Sequence, residues 1–175
     1  MDSLIRIALD LATEWHDGEV RKYTAGEPYI NHPIAVAQIV ASVSDRWEDI
    51  AAALLHDVLE CADAIRPRRE EVIRNRLGTE VLRLVLEVTN PSRPTDGSRS
   101  VRKSIDREHL AKASPAGQTL RLADAIHNFS NLEQRNPAFA LTYAREKVLI
   151  LPLTLQGSSE LHSRLSTMIS AILDK

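Results

Sequence analysis

The sequence predicts an all-α fold, and three observations carry that reading. Apolar residues recur at helical spacing through most of the chain. No segment shows strand-like alternation of useful length. Prolines stand at the starts of the periodic segments (Pro33, Pro67, Pro115), and Gly18 and Gly78 stand at ends. With 175 residues the chain is long enough for one substantial core and short for two, so residues 1–175 are read as a single domain.

The first helix covers about Ser3–His16, from the repeat Ile5, Ala8, Leu9, Ala12, Trp15, and Asp17-Gly18 ends it. Residues 19–33, EVRKYTAGEPYINHP, form a loop rich in turn residues. Pro33 starts the next helix, which places His32 at its mouth, because a residue before proline is disfavoured in helical geometry. Ser44 or Asp45 caps a central helix, Trp47–Cys61, with Glu48 completing a capping box after Asp45. Pro67 opens a charged helix that ends at Gly78, and Thr79 caps another. Pro91–Ser100 is the most loop-like segment. A weakly amphipathic helix follows in SVRKSIDREHLAKAS, and a strong one runs from Pro115 to about Gln134. Helices near Ala138–Leu149 and Ser158–Leu173 complete the chain, separated by Pro152 and Gly157.

The formal charge of −2 argues against a general nucleic-acid binder. No apolar run approaches the ~18 residues of a membrane span, and the N-terminus reads as an amphipathic helix rather than a signal peptide. One cysteine leaves no internal disulfide and no cysteine-rich zinc site. These features lead us to expect a cytoplasmic protein.

The central helix holds the unusual chemistry. Ala51, Leu54, Leu55, Val58, Leu59 and Ala62 surround its axis, so it should be buried. At about 100° per residue, Glu60 falls about 40° from His56, and Asp57 about 100°. Two carboxylates and an imidazole in a buried sector need compensation. A divalent metal supplies it directly; a buried His–Asp pair that only stabilises packing is the alternative. In the helix from Pro115, Asp124, Asn128, Asn131 and His127 share a polar arc opposite Leu122, Ile126, Phe129 and Leu132.

The order His32, His56-Asp57, Asp124 resembles the HD superfamily of metal-dependent phosphohydrolases. RKYTAGEPYINHPIAVA, AALLHDVLE and LRLADAIHN look like the three signature segments of the hydrolase domain in RelA/SpoT proteins. The length most resembles their small stand-alone members. Two imidazoles and two carboxylates suit manganese, iron, cobalt or zinc better than calcium. The resemblance implies manganese, with His32, His56, Asp57 and Asp124 as ligands and Glu60 as general base or orienting group beside the catalytic Asp57. It places Arg21 and Lys22 at the guanine end of a bound nucleotide, Asn128 at the ribose or a phosphate, and Arg102 and Lys103 at the pyrophosphate. Arg121 either holds phosphate or covers a helix surface. Tyr29 and Glu27 are expected to shape their loop, and His16, His109, His127 and His162 to be structural.

The implied activity is hydrolysis of the 3′-pyrophosphate of ppGpp and pppGpp, with a small nucleotide as the partner and neither nucleic acid nor membrane. One departure stands out. The family pattern has a Glu-Asp pair where this chain has Glu60-Cys61. Either Glu60 suffices alone, or the substrate is another nucleotide, or the protein is a non-catalytic alarmone sensor.

Overall fold

The computed structural model describes residues 2–22, 24–130 and 132–174, without the side chains of Asp2, Glu133 and Gln134. Asn131, placed above on the polar arc, lies outside the described residues. The described residues are helical and contain no β-strand; a single bridge joins Val20 to Pro28. No helix among them is long and apolar enough to cross a membrane. The chain divides into two compact units, Met1–Thr89 and Asn90–Lys175.

The first unit contains α1 (Asp2–Trp15), α2 (Asn31–Ala41), α3 (Trp47–Leu54) and α4 (Arg66–Val88). α3 packs on the other three. Its small residues Ala51, Ala52 and Ala53 are fully buried, which lets neighbouring backbones approach closely. Val36 and Val40 of α2, Ala8 and Ala12 of α1, and Ile73, Leu77 and Val81 of α4 complete this core.

Two local expectations are corrected here, and a third is met. α2 begins at Asn31, so His32 lies inside its first turn rather than before it; proline is tolerated there because first-turn N–H groups have no intrahelical acceptor. Neither Ser44 nor Asp45 caps α3. The N-cap is Arg46, without a side-chain cap, and the Ser44 hydroxyl donates instead to the Asp49 carboxylate at 2.7 Å. The expected helix end at Gly78 is borne out: the span labelled α4 is two helices joined at that residue, where the backbone leaves helical geometry with φ 90° and ψ 172°. A side chain is strained in this region, so Gly78→Ala should destabilise the fold by about 1–3 kcal/mol, read as a lower urea midpoint at unchanged slope.

The second unit contains α5 (Arg99–Leu110), α6 (Pro115–Phe129), the short α7 (Leu132–Arg135), α8 (Pro137–Lys147) and α9 (Ser159–Leu173). A 3-10 turn at Pro94–Asp96 lies within the segment read as a loop, and a second covers Val148–Leu153. α6 stops at Phe129, short of the expected Gln134. Leu120, Leu122 and Ile126 of α6 are buried, as are Leu161, Leu165 and Ile169 of α9, which packs on it. The loop before α9 presses on α6 through its backbone. Gln156 N–H donates to Gln118 Oε1 and Ser158 N–H to Thr119 Oγ1, both at 2.9 Å. A Cβ at Gly157 would lie 3.0 Å from Thr119 N, so glycine permits this approach. The helix that carries Asp124 and Asn128 is fixed by these contacts.

Candidate metal centre and substrate-binding residues

In the first unit the sequence-predicted ligands His32, His56 and Asp57 come together, by a route the helical pattern does not give. α3 ends at Leu54, and residues 55–61 form successive turns instead of continuing to Cys61. Val58 N–H bonds Leu55 O at 3.1 Å and Glu60 N–H bonds Asp57 O at 2.9 Å. The Ala53 carbonyl lies 2.8 Å from His56 Nδ1, so the imidazole takes an acceptor that the next helical turn would otherwise use. Arg69 of α4 holds the turn from outside. Its guanidinium donates to Val58 O at 2.7 Å and to Trp15 O at 3.3 Å.

The turn still buries Leu55, Val58 and Leu59, as the pattern requires. Glu60 and Ala62, expected in the buried surface, are exposed. Cys61 is a half-exposed free thiol.

His56 Nε2 lies 3.2 Å from His32 Nε2 and 3.0 Å from Asp57 Oδ2; His32 Nε2 lies 3.5 Å from the same oxygen. Both imidazoles are buried. A carbonyl only accepts, so His56 Nδ1 carries the proton that faces Ala53 O. In the neutral ring, Nε2 is then a lone pair aimed at His32 and at a carboxylate oxygen. A proton or a cation must lie among these three atoms to offset their repulsion. Burial works to raise the Asp57 carboxyl, but the charges and hydrogen bonds of His56 and His32 overcome it and hold the group well below the usual carboxylate range. Nitrogen and oxygen donors of this kind fit a divalent transition metal.

Tyr29 was read as a loop-shaping residue, and the structure gives it more to do. Its hydroxyl donates to Asp57 Oδ2 at 2.6 Å, while its carbonyl accepts from His32 N–H at 2.9 Å. One residue thus fixes two of the expected ligands. Its ring lies 4.7 Å from the buried His16 imidazole, whose Nδ1 faces Glu19 Oε2 at 2.8 Å. A partner that orients a ligating carboxylate commonly contributes ten- to a hundredfold in metal affinity. Tyr29→Phe should therefore weaken manganese binding by about that factor in a direct titration. The EPY tripeptide carries the signal in the sequence, but the link to Asp57 is tertiary.

Arg21 and Lys22 lie in the 19–29 loop. Arg21 N–H bonds Glu27 O at 2.9 Å, and the Thr24 hydroxyl bonds Arg21 O at 2.8 Å. Lys22 is exposed.

In the second unit Asp124 is buried on α6. Asn128 Nδ2 donates to Asp124 Oδ1 at 2.5 Å, and Arg121 Nη1 approaches Oδ2 at 3.4 Å. Arg121 Nη2 also donates to Asn90 Oδ1 at 3.2 Å. The polar arc expected on this helix is therefore a connected cluster. The pyrophosphate candidates on α5 have other partners. Lys103 Nζ pairs with the buried Asp106 at 2.9 Å, and Arg102 Nη1 donates to Gly97 O at 2.7 Å. Desolvation acts to raise the Asp106 carboxyl, but Lys103 and Ser92 outweigh it and hold it below its ordinary value.

The HD domain family matches residues 8–151 of this chain. Human MESH1, named a guanosine-3′,5′-bis(diphosphate) 3′-pyrophosphohydrolase, is 33% identical over 132 residues, which cover 74% of this chain and 70% of MESH1. A probable GTP pyrophosphokinase of Mycobacterium leprae is 31% identical over 174 residues; the match takes in 98% of this chain and spans 21% of that protein's length. A solved structure of a metazoan ortholog of SpoT, described as hydrolysing ppGpp and acting in starvation responses, superposes with a TM-score of 0.82 at 26% identity, covering 96% of this chain and 94% of the other.

Proposed function

The chain belongs to the HD domain family, and on that basis we propose that it is a metal-dependent phosphohydrolase that removes the 3′-pyrophosphate of ppGpp and pppGpp, leaving GDP or GTP. The observation that carries this reading is the convergence of two imidazole nitrogens on one carboxylate oxygen in the first unit. The kinship with MESH1 supports the alarmone as substrate. We take residues 1–175 as one HD-type domain, since the family match runs through residues of both units.

His32, His56 and Asp57 would hold the metal, with Asp124 as the fourth ligand, and the mixed donor set supports manganese. When bound, such an ion polarises a phosphoryl oxygen and makes water a usable nucleophile near neutral pH. Glu60, three residues from Asp57 and exposed, takes the proton of the attacking water. The water oxygen bonds to the phosphorus on the 3′ oxygen, the 3′ O–P bond breaks to release pyrophosphate, and the departing 3′ oxygen takes a proton from solvent to become the nucleoside's 3′ hydroxyl. Arg21 and Lys22 bind the guanine end, Asn128 the ribose or a phosphate, and Arg102 and Lys103 the outer face of the pyrophosphate. The unpaired Cys61 thiol supports a reducing, cytoplasmic location.

The test is pyrophosphate release from ppGpp by metal-stripped protein, with and without added manganese. Manganese-dependent release supports the reading. Tight ppGpp binding without release, persisting in Cys61→Asp, would favour the sensor alternative that the Glu60-Cys61 pair raises; release from a different nucleotide would change the substrate.

A further inference from the structure

His16 is a buried titratable group that the proposed mechanism leaves unused, and the sequence reads it as structural. It is 6% exposed and sits just past the end of α1. Its backbone is held from both sides. His16 N–H bonds Ala12 O and Glu19 N–H bonds His16 O, each at 3.1 Å. Arg69 ties the preceding residue to the turn that carries Asp57, since its guanidinium donates to both Trp15 O and Val58 O.

The imidazole itself is only half satisfied. Nδ1 lies 2.8 Å from Glu19 Oε2, and a carboxylate only accepts, so Nδ1 carries a proton. Nε2 is buried and has no hydrogen-bond partner among the described residues. A neutral ring leaves it an acceptor without a donor; a cationic ring leaves it a donor without an acceptor. Both are costly, and an apolar ring of similar size would avoid the cost. Filling space therefore does not account for a histidine here.

What the imidazole adds is a fixed ring plane beside Tyr29. Glu19 touches both residues at once. Its carboxylate takes the Nδ1 proton, and its carbonyl accepts Tyr29 N–H at 2.9 Å. The imidazole so held packs on the Tyr29 ring, with 4.7 Å between centroids and 35° between planes. The setting of that phenol decides whether its hydroxyl reaches Asp57 Oδ2, which it does at 2.6 Å. We propose that His16, locked by Glu19, is a positioning residue for the metal centre: it fixes the Tyr29 ring so that the hydroxyl stays on the Asp57 carboxylate. This rests on the metal-dependent reading above.

The experiment titrates manganese directly into the metal-stripped full chain carrying His16→Phe, Glu19→Ala or Glu19→Gln, each also made in a Tyr29→Phe background. His16→Phe keeps a ring against Tyr29 and removes both nitrogens. It should weaken manganese binding about three- to tenfold, less than Tyr29→Phe does, with a melting temperature no lower than that of the unmodified protein. Glu19→Ala, at an exposed side chain, should give a similar loss with the fold intact. Glu19→Gln, whose amide oxygen still accepts from Nδ1, should recover most of it. In the Tyr29→Phe background neither His16→Phe nor Glu19→Ala should add a further loss, because the effect passes through the hydroxyl. Unchanged manganese affinity in both His16→Phe and Glu19→Ala, or the same fold-loss with and without the Tyr29 hydroxyl, would overturn the proposal. Proton NMR of the metal-free protein supplies a readout independent of the metal. The short Tyr29–Asp57 bond should give a downfield hydroxyl proton that is absent in Tyr29→Phe and shifted or broadened in His16→Phe. If the unmodified protein binds no manganese, the metal reading fails, and this proton still decides the role of His16: an identical signal in His16→Phe would overturn it.

Discussion

An Asp57→Ala protein should release pyrophosphate from ppGpp at less than about a thousandth of the unmodified rate and bind manganese at least about a hundredfold more weakly. Asp57 Oδ2 is the atom on which the site converges. It accepts the Tyr29 hydroxyl at 2.6 Å and faces His56 Nε2 at 3.0 Å and His32 Nε2 at 3.5 Å. Without it, two buried imidazoles face each other at 3.2 Å with no adjacent carboxylate to draw a cation between them. The fold should persist, because the turn is held by backbone bonds and by Arg69 rather than by the Asp57 side chain. Asp57→Asn should lose metal almost as fully, since the shape remains and the charge does not. Metal content and thermal melting of the two variants check this directly. Wild-type metal content in Asp57→Ala would make the cluster a packing device.

Glu60→Gln should lower kcat by about 10²–10⁴-fold, with KM changed little, because it removes a proton acceptor and leaves the ligands in place. Glu60 is exposed, in a turn three residues past Asp57. Neutral Gln there accepts hydrogen bonds but takes no proton. The adjoining Cys61 stands where the family pattern has Asp, so in the proposed mechanism Glu60 acts without a second carboxylate. Cys61→Asp should raise kcat in the unmodified background and restore part of the activity of Glu60→Gln. Equal kcat in Glu60→Gln and the unmodified protein would remove Glu60 from the mechanism. Steady-state rates at saturating manganese distinguish these outcomes.

Much of this was legible in the sequence because it is local. Helical period, the prolines at helix starts and Gly18 as a stop gave an all-α chain with most boundaries within a few residues. The end of α3 at Leu54 was not legible, for a definite reason. Leu55, Val58 and Leu59 are buried in the turn just as they would be in a continued helix, so the apolar pattern is the same for both. The choice is made by His56 Nδ1 competing for the Ala53 carbonyl, a side-chain contact that periodicity does not record. His32, His56 and Asp57 were nominated from the pattern and the resemblance, and the structure brings these three together. Tyr29 was underrated because its link to Asp57 spans 28 residues.

The measurement closest to the central claim is phosphorus NMR of the products formed from ppGpp by the manganese-loaded protein. The expected spectrum shows pyrophosphate and GDP rising together in equal amounts, with no orthophosphate, and no change when manganese is withheld. Orthophosphate in place of pyrophosphate would mean that a different bond is cleaved. An unchanged ppGpp spectrum from a protein that holds its manganese would contradict the hydrolase assignment itself.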